Sequence, residues 1–269
     1  MLRALYQPFP MLAGSRAQVW TYSPDYRRPR HFHNEPELNL VAHGSASFGV
    51  GGSVVRLEAG DVMGFAPGQD HELLQASPDL VLFAVGLRRD LSREVLRESS
   101  FVAPFKSRLA AGTLQELVRH CAEWTGQVGA DQPVAELWQR ALESRRQGEA
   151  DRAHVCTRRA LSALDRAPEL DRNQLASATR ASSSEVGRYF QRDVGLTLVE
   201  YRARLRLLLF VERVDAGINL TGAALDAGFG SYSQCHRVFS ATFGLTPSEF
   251  FWRDRRRAIE EAFAPAQLA

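Results

Sequence analysis

Along the first 87 residues apolar and polar positions alternate over short runs that Gly and Pro cut off. The runs are AQVWTYS, LNLVAHG, SASFGVGG, SVVRLEAG, DVMGFAPG and DLVLFAVGL. A period of two, closed by turn formers every few residues, predicts the short strands of a small β-sandwich or barrel. Gly51 and Gly52 predict a hairpin turn within it. From Asp90 the period lengthens. Val134, Leu137, Trp138, Ala141 and Leu142 fall at i, i+3, i+4, i+7 and i+8 and predict an amphipathic helix. Residues 108–124 and 152–164 show the same period less cleanly, Gly126 to Pro133 is a break, and RAPEL at 166–170 predicts a linker to a last, all-helical domain.

That last domain repeats itself. Shifted by 49 positions, Ser182, Ser184, Arg188, Phe190, Gly195, Leu196, Thr197 and Glu200 fall on Ser231, Ser233, Arg237, Phe239, Gly244, Leu245, Thr246 and Glu249. Each copy predicts a short helix (174–179; 221–227), a tight turn and a longer helix opening on Ser. Val186 and Phe190 lie one helical turn apart facing inward, as do Cys235 and Phe239. Short helix, turn, longer helix is the helix-turn-helix plan, in which the second helix enters a DNA major groove. Residues 198–214 join the copies with few breakers and predict one helix about 25 Å long. A spacer of that length can set two recognition helices near one duplex turn apart, roughly 34 Å.

The stretch from Leu175 to Phe251, with VGRYFQRDVGLTLVEYRARLRL and then AGFGSYSQCHRVFSATFGLTP, resembles the AraC/XylS family of bacterial transcription regulators over the final third of the chain. Two positions depart from the family's pattern. Cys235 stands where a larger apolar residue is usual, and Arg180 occupies the first copy's turn where Gly228 serves the second.

Composition agrees and narrows the picture. With 269 residues, 45% hydrophobic and 24% charged, the chain is expected to hold two soluble globular domains, and no window reaches the roughly 18 apolar residues of a membrane span. The broken apolar start makes a poor secretory signal, so a cytoplasmic location is expected. Cys121, Cys156 and Cys235 lack CxxC spacing, which argues against a disulfide framework or a zinc ribbon. Redox sensing through them is a weak third reading. Residues 172–257 carry thirteen Arg against eight acids, whereas residues 1–87 carry six Arg against eight acids. The basic bias toward the C-terminal end fits duplex DNA.

Outward positions of the first recognition helix are Ser183, Ser184, Gly187, Arg188, Gln191 and Arg192; those of the second are Tyr232, Ser233, Gln234, His236 and Arg237. Arg pairs bidentately with guanine and Gln with adenine, so Arg188, Arg237 and Gln234 are the foremost base-reading candidates. Phosphate contact or solvation is the alternative for each. The RDRRR run at 253–257 is expected to be a solvated or phosphate-facing helix end.

A different chemistry lies near the start. His31, His33 and Glu37 share parity, so an extended chain, bent at Pro36, presents them on one face. His71 follows the Pro67–Gly68 turn. HxHxxxE, then Gly44, then Gly60 to His71 is similar to the two cupin motifs, and the resemblance implies a small sensor barrel. In cupin enzymes these four side chains bind a divalent transition metal, and imidazole and carboxylate suit Fe, Mn, Ni or Zn. In regulators the same pocket can take a small effector without metal, or the residues can simply fill the barrel.

The expected architecture is therefore α+β and multidomain. It comprises a cupin-like barrel (1–87), a helical dimerisation or linker segment (88–168), a double helix-turn-helix domain (169–257) and a tail (258–269). The expected function is effector-controlled, sequence-specific DNA binding without catalysis. Duplex DNA, a small-molecule effector and a second copy of the chain are the expected partners, with RNA polymerase a further candidate and no membrane. The competing reading is a cupin metalloenzyme, a dioxygenase or isomerase, whose helical tail mediates assembly.

Overall fold

The computed structural model describes residues 5–22, 29–96, 104–148 and 153–252. The chain divides into two compact units, one built from residue 7 to about 152, the other from 153 onward together with Leu5–Tyr6 (β1). Among the described residues no helix is long and apolar enough to cross a membrane.

The first unit holds strands β2 (Ala17–Thr21), β3 (His31–Phe32), β4 (Glu37–His43), β5 (Ser45–Val50), β6 (Ser53–Glu58), β7 (Asp61–Phe65), β8 (His71–Ala76) and β9 (Val81–Leu87). Helix α1 (Arg89–Val95), strand β10 (Phe105–Arg108) and helices α2 (Ala111–Trp124) and α3 (Asp131–Gly148) follow. One antiparallel sheet runs β10-β7-β4-β9-β2 and the other runs β3-β8-β5-β6. Alternation along β4 decides what each face does. Leu38 and Leu40 join the core under the helices, whereas Val41 meets Phe48, Val50, Leu57, Met63 and Phe65 between the sheets. β4 is buried on both faces from Glu37 to Val41, so its two polar residues there, Glu37 and Asn39, are buried as well.

Strands β1, β8 and β10 escaped the sequence pattern. HELLQA (β8) breaks the alternation of apolar residues, and FKSR (β10) is too short to show a period. β10 nevertheless pairs with β7, and its Phe105 fills the space that Gly64 leaves open.

Within the segment 88–168 the division between the two compact units falls near residue 152. The apolar stripe of α3, Val134, Leu137, Trp138, Ala141 and Leu142, is buried in one core with Val19, Leu38, Val85, Phe105 and Leu117, so it covers its own sheet. Nothing of that stripe is left over for a partner. Helix α4 (Val155–Arg166) goes the other way and packs on α5 (Arg172–Thr179) and α6 (Ser183–Val194) of the second unit. Periodicity showed which face of each helix is apolar; it could not show which neighbour would cover it.

In the second unit α5–α6 is followed by α7 (Leu198–Asp215), and α8 (Leu220–Asp226)–α9 (Tyr232–Phe243) by α10 (Pro247–Phe251). The repeat is a repeat of helix ends. Ser182 and Ser231 cap α6 and α9, Gly195 and Gly244 end those helices in the left-handed conformation, and Thr197 with Glu200 and Thr246 with Glu249 form capping boxes that open α7 and α10. Each cap contributes about 1 kcal/mol, so these motifs fix where the helices start and stop. Phe190 and Phe239 are fully buried, as expected for inward positions. The RDRRR run lies outside the described residues.

Candidate functional site

His31, His33, Glu37 and His71 converge. All four are buried, and one ligand atom from each lies within 4.8 Å of the others. The route to this is not a single strand face. His31 sits on β3 and Glu37 on β4, in different sheets, and residues 33–36 carry the chain from one to the other. His31 faces His71 directly across the β3–β8 pair. The Gly68 N–H, in the turn before His71, donates to the His33 carbonyl at 2.9 Å and ties the second motif to the first.

Each imidazole is held by its other nitrogen. Nδ1 of His31 meets the Pro29 carbonyl at 2.9 Å, Nδ1 of His33 the Glu35 carbonyl at 2.7 Å, and Nδ1 of His71 the Gln69 carbonyl at 3.2 Å. A carbonyl can only accept, so Nδ1 carries the proton in every case and a neutral ring keeps its lone pair on Nε2. The Asn39 amide donates to Glu37 Oε1 at 2.7 Å and orients the carboxylate. Nε2 of His33 and of His71 then lie 2.9 and 3.4 Å from Glu37 Oε2.

Acceptors facing acceptors at such distances repel unless a cation lies among them. Protons on the imidazoles would serve, and so would one metal ion. Burial alone would raise the Glu37 carboxyl, but His71 and His33 outweigh it and hold that group well below the usual carboxylate range. The donor set fits a transition metal. Ligands each about 2.0–2.2 Å from one ion stand roughly 3 Å apart, and ligating histidines typically donate the second ring nitrogen to a carbonyl or carboxylate. Phe65 stacks flat on His71, with centroids 4.2 Å apart, and supplies an apolar wall.

The DNA-reading candidates form a different kind of surface. Ser184, Arg188, Gln191, Arg192, Ser233, Gln234 and Arg237 are exposed, and Ser183, Tyr232 and His236 are half-buried. The Arg188 and Arg192 guanidiniums lie over the Tyr189 ring, 4.9 and 5.1 Å from its centroid, and Arg192 also pairs with Asp193 at 2.7 Å. Gln234 Oε1 accepts from the Gly230 N–H at 2.8 Å, so its amide closes the turn; bidentate reading of adenine would require releasing that bond. Tyr232 packs partly on the core and touches the His236 ring.

The sequence reading missed Asn39 and the three carbonyls, although Asn39 shares the parity of Glu37. It also missed the support of the first recognition helix by α4, where His154 stacks on Tyr189 at 3.6 Å. The three cysteines are buried, and burial pushes the thiols of Cys121 and Cys235 up to about 12. Thiols that protonated do not suit redox sensing.

An AraC-like ligand binding domain model matches residues 13–154, and a helix-turn-helix domain model matches residues 175–253. No curated protein sequence matches the chain. ToxT from Vibrio cholerae O395 is similar in structure at 11% identity, over 87% of this chain and 95% of that one, with a TM-score of 0.48. The AraC-like transcriptional activator CuxR is similar at 12% identity over 78% of each chain, with a TM-score of 0.34. A Bacillus subtilis oxalate decarboxylase with Mn(II) centres is similar at 20% identity over 28% of this chain and 19% of that one, with a TM-score of 0.22. The two family models together account for both units.

Proposed function

We propose, from the premise that this chain belongs to the AraC family of transcription regulators, that its first unit senses a small effector through a divalent transition metal. His31, His33, Glu37 and His71 hold the ion, and α6 and α9 read duplex DNA. The observation that carries the metal is the tethering of all three Nδ1 atoms to carbonyls, which turns three Nε2 lone pairs and one carboxylate oxygen toward a common point. When bound, the metal supplies a Lewis-acidic position that an oxygen or nitrogen of the effector can occupy. Asn39 keeps the carboxylate turned inward, and Phe65 excludes water from one side. The site is read as a sensor and not as a catalytic centre, because the family is one of regulators.

Effector binding shifts the balance between conformers that differ in how available the DNA-reading helices are. Homodimerisation and contact with RNA polymerase complete the reading, in the cytoplasm where duplex DNA is found. With the α3 stripe already covered, a dimer has to use another face.

The test is elemental analysis of the full chain purified without a His tag. Close to one equivalent of a first-row metal is expected, and His31→Ala with His71→Ala should abolish it while specific DNA binding survives. Neutral imidazoles are required, so affinity should weaken as the pH is lowered and protons compete with the metal. If no metal is found and added Zn or Ni leaves the melting temperature unchanged, protons bridge the cluster and the pocket takes its effector without metal.

A further inference from the structure

The two helix-turn-helix copies are joined by α7, but they are also joined a second time. The strap between α4 and α5, residues 167–171, runs across α7 before the first copy begins. Arg202 of α7 donates to the Leu170 carbonyl, and Arg206 donates to the carbonyls of Glu169 at 2.9 Å and Leu170 at 3.3 Å. The same Glu169 reaches the turn of the second copy. A Cβ built on Gly228 would lie 2.8 Å from Glu169 Cβ, 2.9 Å from its Cα and 3.1 Å from its carbonyl oxygen. Burial and the neighbouring guanidinium lower the Arg202 pKa, and burial lowers that of Arg206, so both cations carry a desolvation cost at this spot. A helix fixed only at its ends can roll against what it joins. A second attachment that touches the first copy, the spacer and the second copy removes that freedom.

We propose that the strap 167–171 sets the separation and relative rotation of the two recognition helices, with Arg202 and Arg206 as positioning residues and Gly228 as the gap that lets the strap seat. The proposal rests on the reading in which both α6 and α9 enter DNA. Its function is to make the protein selective for the spacing between two half-elements of an operator. One added base pair rotates the second element by about 35° and moves it about 3.4 Å, which a rigid pair of helices cannot follow.

The full chain is first used to select a site from a random duplex library, and the two half-elements are then moved apart or together by one base pair. Wild type should lose at least about tenfold in affinity at either altered spacing, the cost of roughly one mismatch. The double substitution Arg202→Ala, Arg206→Ala should bind the native spacing about tenfold more weakly yet differ less than threefold among the three spacings. A merely structural role lowers all three equally and keeps the profile sharp. Should the double variant fail to fold, two glycines inserted after Pro168 lengthen the strap with every side chain kept, and a flat profile is again expected. A sharp profile in a folded variant, or no spacing preference in wild type, overturns the proposal. Failure of wild type to select any site overturns the DNA reading itself.

Discussion

The two helix-turn-helix copies share their capping residues and inward phenylalanines, but their surroundings differ. The first leans on α4. Tyr189 stacks on His154, and Asp193 accepts from the Thr157 hydroxyl at 2.6 Å and from the His154 N–H at 2.8 Å. The second leans on an aromatic cluster in which Phe239 meets Phe210, Phe243, Phe250 and Phe251, with Tyr6 against Phe243. Their turns differ too. The left-handed residue is Arg180, two before the cap Ser182, in the first copy and Gly228, three before the cap Ser231, in the second. What a helix-turn-helix needs locally is repeated; what each copy is built against is not.

The turn residues test this most severely. Gly228→Ala meets a left-handed backbone and the body of Glu169 at once, so overpacking adds to conformational strain. A loss of about 2–4 kcal/mol is expected, read from urea unfolding followed by circular dichroism. A loss below about 1 kcal/mol would show that the strap gives way easily.

On DNA the copies should again be unequal. Arg237→Ala is expected to cost about 1–3 kcal/mol on the selected site and to relax one base position. Arg188→Ala should cost less, near 1 kcal/mol, because that guanidinium lies over Tyr189 on a helix whose Ser183, Ser184 and Gly187 leave it fewer long outward side chains. Equal losses on every duplex would make either residue a phosphate contact. A larger loss at Arg188 would reverse the ranking of the two helices.

Much of this was legible in the chain because the signals are local. A longer helix opening on Ser and an inward Phe one turn after Val186 or Cys235 each need only a few neighbouring residues, and both fold as read. The cluster of three histidines and Glu37 was legible as a pattern, but the reason it converges was not. Parity placed His31, His33 and Glu37 on one strand face, whereas a crossing between two sheets brings them together. The Nδ1 tethers end on main-chain carbonyls, which no side-chain pattern marks. The partner of α4 was hidden for the same kind of reason, since an apolar stripe is the same whether it covers the sheet behind it or the helix ahead.

The reverse substitution in the first turn should have the opposite sign. Arg180 is the only described non-glycine with positive φ, at 54°. Left-handed backbone costs a side-chain-bearing residue about 1–2 kcal/mol, and glycine returns part of that through its freer unfolded chain. Arg180→Gly should therefore stabilise by about 0.5 kcal/mol, seen as a small rise in urea midpoint. Destabilisation would mean that the Arg180 side chain contributes more than its backbone costs.

The smallest contrast appears only in acid. Burial raises the Asp193 carboxyl, but its bonds to Arg192, Thr157 and the His154 N–H outweigh that and leave its pKa below the ordinary aspartate value. A depressed folded value means that the carboxylate stabilises the first copy fully above about pH 3.9, the unfolded value, and loses this as pH falls through the folded one. The second copy has Thr242 at the position 49 residues on, and its hydroxyl donates to the Val238 carbonyl at 2.8 Å without titrating. The stability difference between wild type and Asp193→Asn should therefore shrink between pH 5 and pH 3. That between wild type and Thr242→Val should stay level. Urea unfolding of the three proteins across that range measures both, and a constant Asp193→Asn difference would remove the acid sensitivity assigned to the first copy.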